Sequence, residues 1–416
     1  MENKRPQIAV VNVRVAKNRL SVTYQISEEL QPFFNDKGNE FWVEYSEEMD
    51  SVPIGIAVIP FVCNVLPIVW LTNAQLIVPE LDKTFFDSIN VFKQGYVKMY
   101  PMLDFLGDVA TTSVDYSYQS NGGSAAFFSG GVDAFTTLIQ HREEHPLLIT
   151  LLGADVKLTD YEGLSILKEQ TSQTAIDYNL PKPFFVLSNF RTFIHESNLS
   201  SMVVASNDGW WHGFQHGIGI ISHAAPIAYL KRIKIVYIAS SNVAGDTYTC
   251  ASDPTIDNYV RFGATRIHHD QYNLCRQDKV GVIVKYVQDT NMKVPLRVCW
   301  ITSGGKNCCH CEKCLRTMMA LFAEGADPHD YNFNYTEEDL RNSERIVRNA
   351  LYKALPGVIQ NWEGTVERFK QTGAYKSNRS VNWIYHLDLY HPLSWISIKK
   401  MQVRWILKKV CNKCLA

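Results

Sequence analysis

The sequence predicts an α/β protein with a doubly wound parallel sheet and a four-cysteine zinc knuckle, preceded by a smaller, mainly β domain. Three observations support this prediction. Residues 121–325 alternate short apolar runs with helix-like stretches, the order that consecutive β-α-β units produce. Residues 1–120 hold short β-like runs separated by turns, without an extended helical period. Three cysteines at C-x-x-C-x-x-C spacing, with a fourth upstream, indicate a metal site.

Length and composition are those of a globular protein. The 416 residues allow two or three domains, and 46% hydrophobic with 20% charged residues exclude a disordered or collagen-like chain. The net charge of -1 does not predict a nucleic-acid partner. Ten cysteines are too few for a disulfide scaffold, and the N-terminal apolar run is interrupted by charges, unlike a signal peptide. We therefore expect a reducing, cytoplasmic setting, in which clustered thiols serve metal binding or chemistry.

The first predicted domain, residues 1–120, contains β-like runs such as QIAVVNVRV, LSVTYQI and FWVEY. Its most apolar segment, 52–70, is nearly as long as a membrane-spanning helix needs to be. Pro53, Pro60 and Pro67 lie within this segment, and each would break or kink a helix. We therefore predict buried strands there, with a membrane span as the alternative.

The second predicted domain, residues 121–325, begins with a polar linker. Its apolar runs are short enough for strands, and the stretches between them have the length of helices. Consecutive crossovers of this kind place helices on both faces of a parallel sheet. The predicted strands are 125–128, 147–152, 184–187 and 233–238, and the predicted helices are 132–143, 164–178, 217–230 and 315–322.

The third predicted region, residues 326–416, is polar and helical and ends in a basic tail. After Asp388 the chain carries no acid, and basic residues flank tryptophan and isoleucine there, as in a basic amphipathic helix. We expect this helix to dock on the protein with a solvated basic face. Weak peripheral membrane contact and nucleic-acid contact are the alternatives.

The most informative residues lie where the first strand of the second domain meets its helix. Ser129, Gly130 and Gly131 form a turn, and Val132 and Asp133 begin the helix. Glycines let the backbone adopt positive φ and approach a ligand, while the N–H groups and dipole of a helix start attract an anion. Asp133 is placed to cap those amides or to help hold a metal on phosphates. The residues predict a phosphate-binding loop, with a ligand-free glycine turn as the alternative.

The segment FFSGGVDAFTTL resembles the S-G-G-x-D-S loop of the PP-loop ATP pyrophosphatase superfamily, whose α/β core is HUP-like. The resemblance implies that residues 129–134 bind ATP with Mg²⁺ and that Asp133 is catalytic. It also implies that a substrate oxygen attacks the α-phosphate of ATP and releases pyrophosphate. The last serine of the motif is Ala134 here, so one hydroxyl that would contact phosphate is missing.

Four of the ten cysteines have the spacing of a metal site. Cys308, Cys311 and Cys314 follow Cys299 across a Gly-Gly turn. Four thiolates in this order can close a tetrahedral site, for which Zn²⁺ is the usual ion, and an iron–sulfur cluster is the alternative. The apolar run that follows predicts a helix ending at Gly325, so we expect the knuckle at a helix N-terminus, which favours thiolate.

Together, the loop and the cysteine motif resemble the 7-cyano-7-deazaguanine synthase family of the queuosine pathway. That family carries a cysteine followed by C-G-x-C-x-x-C-x-x-R. Here Cys309 replaces the glycine, and Arg316 lies near the place of the arginine. The resemblance covers roughly residues 121–325, and the flanking regions have no counterpart in it.

The same resemblance implies the substrate side of the site. The segment similar to the family's G-x-N-x-x-D follows the predicted strand 233–238, and its candidate substrate-binding residues are Ser240, Ser241, Asn242 and Asp246. Arg276 and Lys279 are similar to an R/K-x-x-K helix start, which implies substrate binding by Arg276 and a catalytic role for Lys279. Solvated helix charges are the alternative. An aromatic cluster either stacks a flat substrate or packs in the core, and it comprises Trp210, Trp211, His212 and His216.

The combined prediction is an ATP-dependent ligase that adenylates a carboxylate and passes it to ammonia or an amine. By resemblance, the product is an amide or nitrile on a deazapurine. The additional regions predict a small-molecule, protein or peptide carboxylate as acceptor, and a homodimer is left open. One alternative is a PP-loop tRNA thiolation enzyme, with Cys411 and Cys414 as its free thiols. The other is a degenerate loop that binds a nucleotide as a non-catalytic sensor.

Overall fold

The computed structural model of the chain describes residues 5–35, 39–246, 248–299, 301, 305–354 and 356–393. The chain divides into two compact units. The first unit comprises residues 1–274 with 302–306, and the second comprises residues 275–301 with 307–416. All described strands belong to the first unit, whereas the described part of the second unit is helical and contains the cysteine cluster.

The described strands form one sheet of eleven strands. In chain order they are β1 (Gln7–Ala16), β2 (Arg19–Ile26), β3 (Glu40–Tyr45), β4 (Gln75–Asp82), β5 (Asp108–Val114), β6 (Ser124–Phe127), β7 (Leu147–Leu152), β8 (Phe184–Ser188), β9 (Ile235–Ala239), β10 (Arg261–Phe262) and β11 (Thr265–Asp270). Their order across the sheet is β10-β11-β9-β6-β7-β8-β3-β2-β1-β4-β5.

The strands β8, β7, β6, β9 and β11 pair in parallel and form the core of the sheet. Numbered along the chain, these five strands have the spatial order 3-2-1-4-5, which is that of doubly wound nucleotide-binding folds. Their short, buried apolar runs suit strands that are covered on both faces. The predicted α/β class and its parallel sheet are confirmed, and the four strands predicted in residues 121–325 agree with the observed ones to within two residues.

The first 120 residues extend this sheet, and the structure does not show the separate β domain that the sequence predicts. β3 pairs antiparallel with β8, placing Val43 opposite Ser188 and Tyr45 opposite Val186. From β3 the sheet continues through β2, β1, β4 and β5. The buried side chains of these strands share one hydrophobic core with those of β6 to β9. Local patterns did not predict this arrangement, because the β3–β8 pair joins residues about 145 positions apart.

The segment 52–70 is helical, which corrects the strands predicted there. It contains α1 (Ile54–Ala57) and most of α2 (Ile59–Leu71). Pro60 lies in the first turn of α2, where a missing N–H removes no helical hydrogen bond, and Pro67 lies inside the helix. Because α2 is buried on nearly all sides, its apolar residues show no amphipathic period. The buried Asn64 side chain is hydrogen-bonded within the core. Its Nδ2 donates to the Pro60 carbonyl at 2.8 Å, and its Oδ1 accepts from Gln215 Nε2 at 2.8 Å.

The remaining helices of the first unit are α3 (Lys83–Met99), α4 (Val132–His141), α5 (Tyr161–Asp177), α6 (Glu196–Met202), α7 (His216–Ile221), α8 (Ala224–Lys231) and α9 (Pro254–Asp257). The helix predicted at 217–230 is interrupted near residue 222 and is preceded by a π-helical turn, Trp211–Gln215. No helix in the described ranges is long and apolar enough to cross a membrane.

The second unit contains α10 (Arg276–Thr290), α11 (Glu312–Ala323), α12 (Glu337–Leu351) and α13 (Pro356–Thr372). Gln277 joins three of these helices, since its amide donates to the Ala320 carbonyl at 3.1 Å and accepts from Thr365 at 2.8 Å. The helical character predicted for this region agrees with the structure. The predicted basic tail, with Cys411 and Cys414, lies outside the described residues.

Candidate functional site

The predicted phosphate loop, residues 129–133, lies where the strand order of the sheet reverses. β6 leads through α4 to β7 on one side, whereas β9 pairs with the other side of β6. Doubly wound folds bind ligands at this reversal, outside the carboxyl ends of their strands. Ala126 lies opposite Tyr237 in the parallel register. Residues 129 and 240 each follow three positions later, so they leave the sheet next to each other. The phosphate loop and the segment after β9 therefore share one edge of the sheet.

The backbone of the phosphate loop makes a tight turn into α4. Gly130 has a φ of 75°, in the left-handed region that glycine adopts without strain. Gly131 is the N-cap of α4, and it provides no side-chain cap for the helix. Ser129 Oγ accepts a hydrogen bond from the Gly131 N–H at 3.4 Å. The positive end of the α4 dipole thus faces a glycine turn, an arrangement that stabilises an anion.

The side chains of the loop differ in exposure. Ser129 is exposed and Asp133 is half-buried in the first turn of α4, placements compatible with the predicted phosphate and metal contacts. Val132 and Ala134 are buried in the same turn. The alanine that replaces the last serine of the motif therefore packs inward, and the hydroxyl is missing from the inner side of the helix start.

The candidate substrate segment after β9 is held largely by its own hydrogen bonds. Ser240 is buried, and its hydroxyl donates to the Asn242 carbonyl at 2.6 Å. Asp246 accepts from the Val243 N–H at 2.8 Å. Asn242 is also buried, whereas Ser241 is exposed. Ser240 and Asp246 therefore stabilise the loop, and Ser241 is the member of the predicted set that faces solvent.

Arg276 and Lys279 begin α10, in the second compact unit. The helix starts with a reciprocal capping box between Cys275 and Asp278. Arg276 is half-buried in its first turn, and Lys279 has only 1% of its surface exposed. The alternative of a solvated helix charge is therefore wrong for Lys279. The substrate and catalytic roles of these two residues stay predictions.

The four predicted metal ligands come together in the second unit. The Sγ atoms of Cys299, Cys308, Cys311 and Cys314 all lie within 4.8 Å of one another. The Sγ–Sγ distance is 4.0 Å between Cys299 and Cys311 and 3.9 Å between Cys308 and Cys314. Four sulfurs bound at about 2.3 Å by a tetrahedral ion lie roughly 3.8 Å apart. The predicted four-cysteine cluster is confirmed, and its dimensions are compatible with Zn²⁺.

Hydrogen bonds from backbone N–H groups and to one asparagine hold the four cysteines in place. The N–H groups of Cys311 and Cys314 point to the sulfurs of Cys308 and Cys311, at 3.3 and 3.4 Å. Asn307 Oδ1 accepts from the Cys299 N–H at 3.3 Å, which fastens the upstream cysteine to the knuckle. Hydrogen bonds from Cys311 and Cys314 lower the pKa of the Cys308 thiol. Cys311 is also the N-cap of α11, as the predicted helix-start position of the knuckle requires.

Cys309 lies in the knuckle segment but outside the cluster. Its φ of 59° is left-handed, which gives a physical reason for the glycine at this position of the related motif. Burial raises the pKa of its thiol to about 12, and its sulfur contacts the Asn307 carbonyl at 3.8 Å. Arg316 Nε lies 3.1 Å from Glu312 Oε1, which also accepts from Trp362 Nε1 at 2.9 Å. Arg316 thus supports α11 behind the knuckle.

One polar network beneath α4 was missed by sequence reasoning. His141 ends α4, where its Nε2 lies 3.3 Å from Asp270 Oδ1 and its Nδ1 lies 2.9 Å from Glu144 Oε1. Its ring stacks on Tyr237 with a centroid distance of 3.8 Å. Burial opposes charge on His141, but the hydrogen bonds to Asp270 and Glu144 outweigh it and raise the pKa. In the sequence, the signal for this network was the polar run 268–270, which lies close to the apolar runs that predict strands.

The predicted aromatic cluster divides into two parts. Trp210 is fully buried and stacks on Phe214, so the core-packing alternative holds for this residue. His216 Nδ1 instead lies 3.6 Å from the sulfur of Cys250, which the sequence shows only as an isolated cysteine, and His212 also lowers the pKa of this thiol. Sequence reasoning did not pair these residues, because Cys250 lies more than 30 positions further along the chain.

In comparisons with known proteins, no family model, curated protein or solved structure matches the chain. The function is therefore argued from the residues and the geometry of the sites.

Proposed function

We propose that the protein adenylates a carboxylate with MgATP, releasing pyrophosphate, and then passes the acyl group to ammonia or an amine. The observation that carries this proposal is the Ser-Gly-Gly turn at the start of α4, placed where the strand order of the sheet reverses. This is the position at which doubly wound folds bind nucleotide phosphates. The resemblance of the loop to PP-loop ATP pyrophosphatases supports the same class of reaction.

The phosphate loop contributes position and charge stabilisation in the proposed reaction. Its left-handed Gly130 removes a side chain from the path of the phosphates, and the N-terminus of α4 supplies partial positive charge. Ser129, which is exposed, is placed to donate a hydrogen bond to a phosphate oxygen. Mg²⁺ held with the help of Asp133 would neutralise charge on the phosphates. Preorganised groups of this kind lower the barrier because they need no rearrangement as pyrophosphate departs.

The four-cysteine cluster has a structural role in this proposal. A metal bound by four protein sulfurs has no open coordination position for a substrate. The metal would instead hold the segment around Cys299 against the start of α11. Because four cysteine sulfurs belong to the cluster, fewer thiols remain for sulfur transfer. This disfavours the tRNA thiolation alternative.

The acceptor is proposed from the resemblance and from the size of the first unit. The resemblance to the deazaguanine synthase family favours a flat heterocyclic carboxylate that becomes an amide or nitrile. The strands and helices of the first 120 residues add surface to the same unit, which suits a larger acceptor such as a protein or peptide carboxylate.

The test is loop-dependent formation of AMP and pyrophosphate. Purified full-length protein is incubated with MgATP, ammonia and a panel of carboxylates, and both products are quantified. We expect equal amounts of AMP and pyrophosphate, and a loss of about 100-fold in the double variant Ser129→Ala, Asp133→Ala. The matched control Ser201→Ala, Asp177→Ala removes an exposed serine and an exposed aspartate elsewhere in the first unit and should retain the activity.

Two results would count against this proposal. Pyrophosphate formation that is unchanged in the loop variant would show that another part of the preparation is responsible. Tight, loop-dependent ATP binding without AMP formation across the panel would support the sensor alternative, for which the replacement of the motif's serine by Ala134 supplies a reason.

A further inference from the structure

A second reactive group lies in the first unit, where a loop after β9 meets the π-helical turn Trp211–Gln215. The Ala251 N–H donates to the His212 carbonyl at 2.8 Å and fastens the loop to this turn. Cys250, the preceding residue, is thereby placed against the side chains of His212 and His216. π-Helical turns are rare and occur frequently at functional sites, because they shift side chains out of the ordinary helical register.

Two histidines and an aspartate lie around the Cys250 thiol. Cys250 Sγ lies 3.6 Å from His216 Nδ1, and the neighbouring His212 side chain also lowers the pKa of the thiol. His212 Nδ1 lies 2.9 Å from Asp208 Oδ1. The other oxygen of Asp208 accepts from the Tyr100 hydroxyl at 2.9 Å, which fixes the carboxylate. A thiol, an imidazole and an orienting carboxylate in this order are the arrangement of an activated nucleophile.

The charges of the group favour a thiolate. Burial opposes the charge on Cys250, but hydrogen bonds from His212 and His216 outweigh it and lower the pKa of the thiol to about 6. Hydrogen bonds to Asp208 and Cys250 raise the pKa of His212 to about 10. Both shifts favour a thiolate beside an imidazolium in the neutral range.

Other ionisable groups also lie near Cys250 and its two histidines. Asp155, in the loop after β7, adds negative charge near His216. Asp257 is paired with His269 at 2.8 Å. Two neighbouring phenols belong to Tyr96 and Tyr100. Burial raises the pKa of both, so they stay protonated through the neutral range.

The group is also connected to solvent. Cys250 has 3% of its surface exposed, whereas 49% of the His212 side chain is exposed. His212 therefore connects a protected sulfur to the surface, as a base that exchanges protons with water needs to do.

We propose that Cys250 is a nucleophile that accepts an activated acyl group as a thioester, with His212 as its acid–base partner and Asp208 as a positioning residue. The thioester assignment rests on the proposed function for the natural donor, an acyl adenylate. The nucleophile itself does not depend on that donor.

The Cys250 thiolate attacks the acyl carbon, the C–S bond forms, and the C–O bond to phosphate breaks so that AMP leaves with the electron pair. Loss of the thiolate charge removes one of the two interactions that raise the pKa of His212, and its imidazolium then releases a proton to water. Ammonia or an amine attacks the thioester carbon, His212 takes the proton lost by nitrogen, and the C–S bond breaks to return the electron pair to sulfur.

The first test measures how the alkylation of Cys250 depends on pH, in the absence of ATP. Full-length protein is treated with iodoacetamide from pH 5 to pH 10, and alkylation of each cysteine is followed by peptide mass spectrometry. We expect a midpoint near pH 6 for Cys250, while Cys275, whose thiol pKa is raised by burial, reacts only at higher pH. A Cys250 midpoint near the ordinary thiol value of about 9, or no reaction of Cys250 in the folded protein, would overturn the proposal.

Variants separate the roles of the partners. We expect His212→Asn and Asp208→Asn to move the Cys250 midpoint upward by about one pH unit or more, because each removes charge that favours the thiolate. The control His145→Asn changes an exposed histidine of the same unit and should leave the midpoint in place. An unchanged midpoint in His212→Asn would refute its role as the partner of Cys250.

The second test uses p-nitrophenyl acetate, an activated acyl ester that needs no nucleotide. We expect a burst of p-nitrophenolate and an acetyl group on the peptide that carries Cys250, both lost in Cys250→Ala. Acetyl groups spread over other cysteines and lysines, without preference for Cys250, would overturn the proposal. Because neither test contains ATP, failure here is distinguishable from failure of the proposed adenylation.

Discussion

Gly130 and Cys309 both have positive φ, at 75° and 59°, and both lie at candidate sites. Glycine adopts this conformation without strain, whereas a residue with a Cβ pays roughly 1–2 kcal/mol for it. At Cys309 this cost accompanies burial of the side chain in the knuckle segment. At Gly130 the conformation opens the backbone where a phosphate would approach.

The first prediction follows from this difference. Gly130→Ala and the matched variant Gly122→Ala, at a left-handed glycine of the linker before β6, should each lower the free energy of unfolding by about 1–2 kcal/mol. Only Gly130→Ala should also weaken ATP binding, by about tenfold or more, because its new methyl group enters the phosphate loop. Chemical denaturation and calorimetric titration measure the two effects. Equal ATP affinity in both variants would contradict the assignment of the loop.

Single residues also show where sequence reasoning ends. Cys63 and Cys250 are both buried and both stand alone in the sequence. Burial among apolar side chains raises the pKa of Cys63, whereas two histidines lower that of Cys250 to about 6. The sequence can suggest a phosphate loop because the residues of such a loop are contiguous, and its ligand stays a prediction. The histidines near Cys250 could not be predicted, because only the fold brings them to the cysteine.

At the scale of elements, most strands and helices after residue 121 follow from their apolar runs. The failure at 52–70 has a physical reason, since a helix buried on nearly all sides and a buried strand present the same continuous apolar sequence. The prolines were weak guides, because one of them lies in a first helical turn. The four-cysteine cluster was predictable, since three of its ligands lie on one short segment at a helix start.

The knuckle supports a prediction with its control in the same segment. Cys308→Ser removes a ligand, so we expect zinc content well below one ion per chain and a lower melting temperature. Cys309→Ser changes a neighbouring buried cysteine that lies outside the cluster and should keep the ion. Elemental mass spectrometry of the purified variants decides the matter. Loss of zinc from Cys309→Ser alone would show that the assigned ligand set is wrong.

At the scale of the whole molecule, the first 120 residues are part of the sheet that carries the phosphate loop. Without β3, the β8 edge would present unpaired backbone groups, and the shared core would lose one side. A chain of residues 121–416 should therefore be insoluble or lack cooperative unfolding, even though it contains the phosphate loop, the four-cysteine cluster and Cys250.

The measurement compares this truncation with a chain that lacks only residues 394–416, which leaves the described elements intact. We expect soluble, cooperative unfolding for the second chain only. A soluble truncation 121–416 with fast hydrogen exchange confined to β8 would show that the N-terminal strands are dispensable, in keeping with the domain boundary that the sequence predicts near residue 120.

The pairing of β3 with β8 also sets the order in which the nascent chain can fold. β1, β2 and β3 can form an antiparallel meander early. The edge of β3 that pairs with β8 stays unpaired until residues about 145 positions later have been synthesised. At ordinary rates of translation this delay is on the order of ten seconds. During that time the nascent chain would present a strand with one unpaired edge, so we expect the protein to be most prone to aggregation during its synthesis.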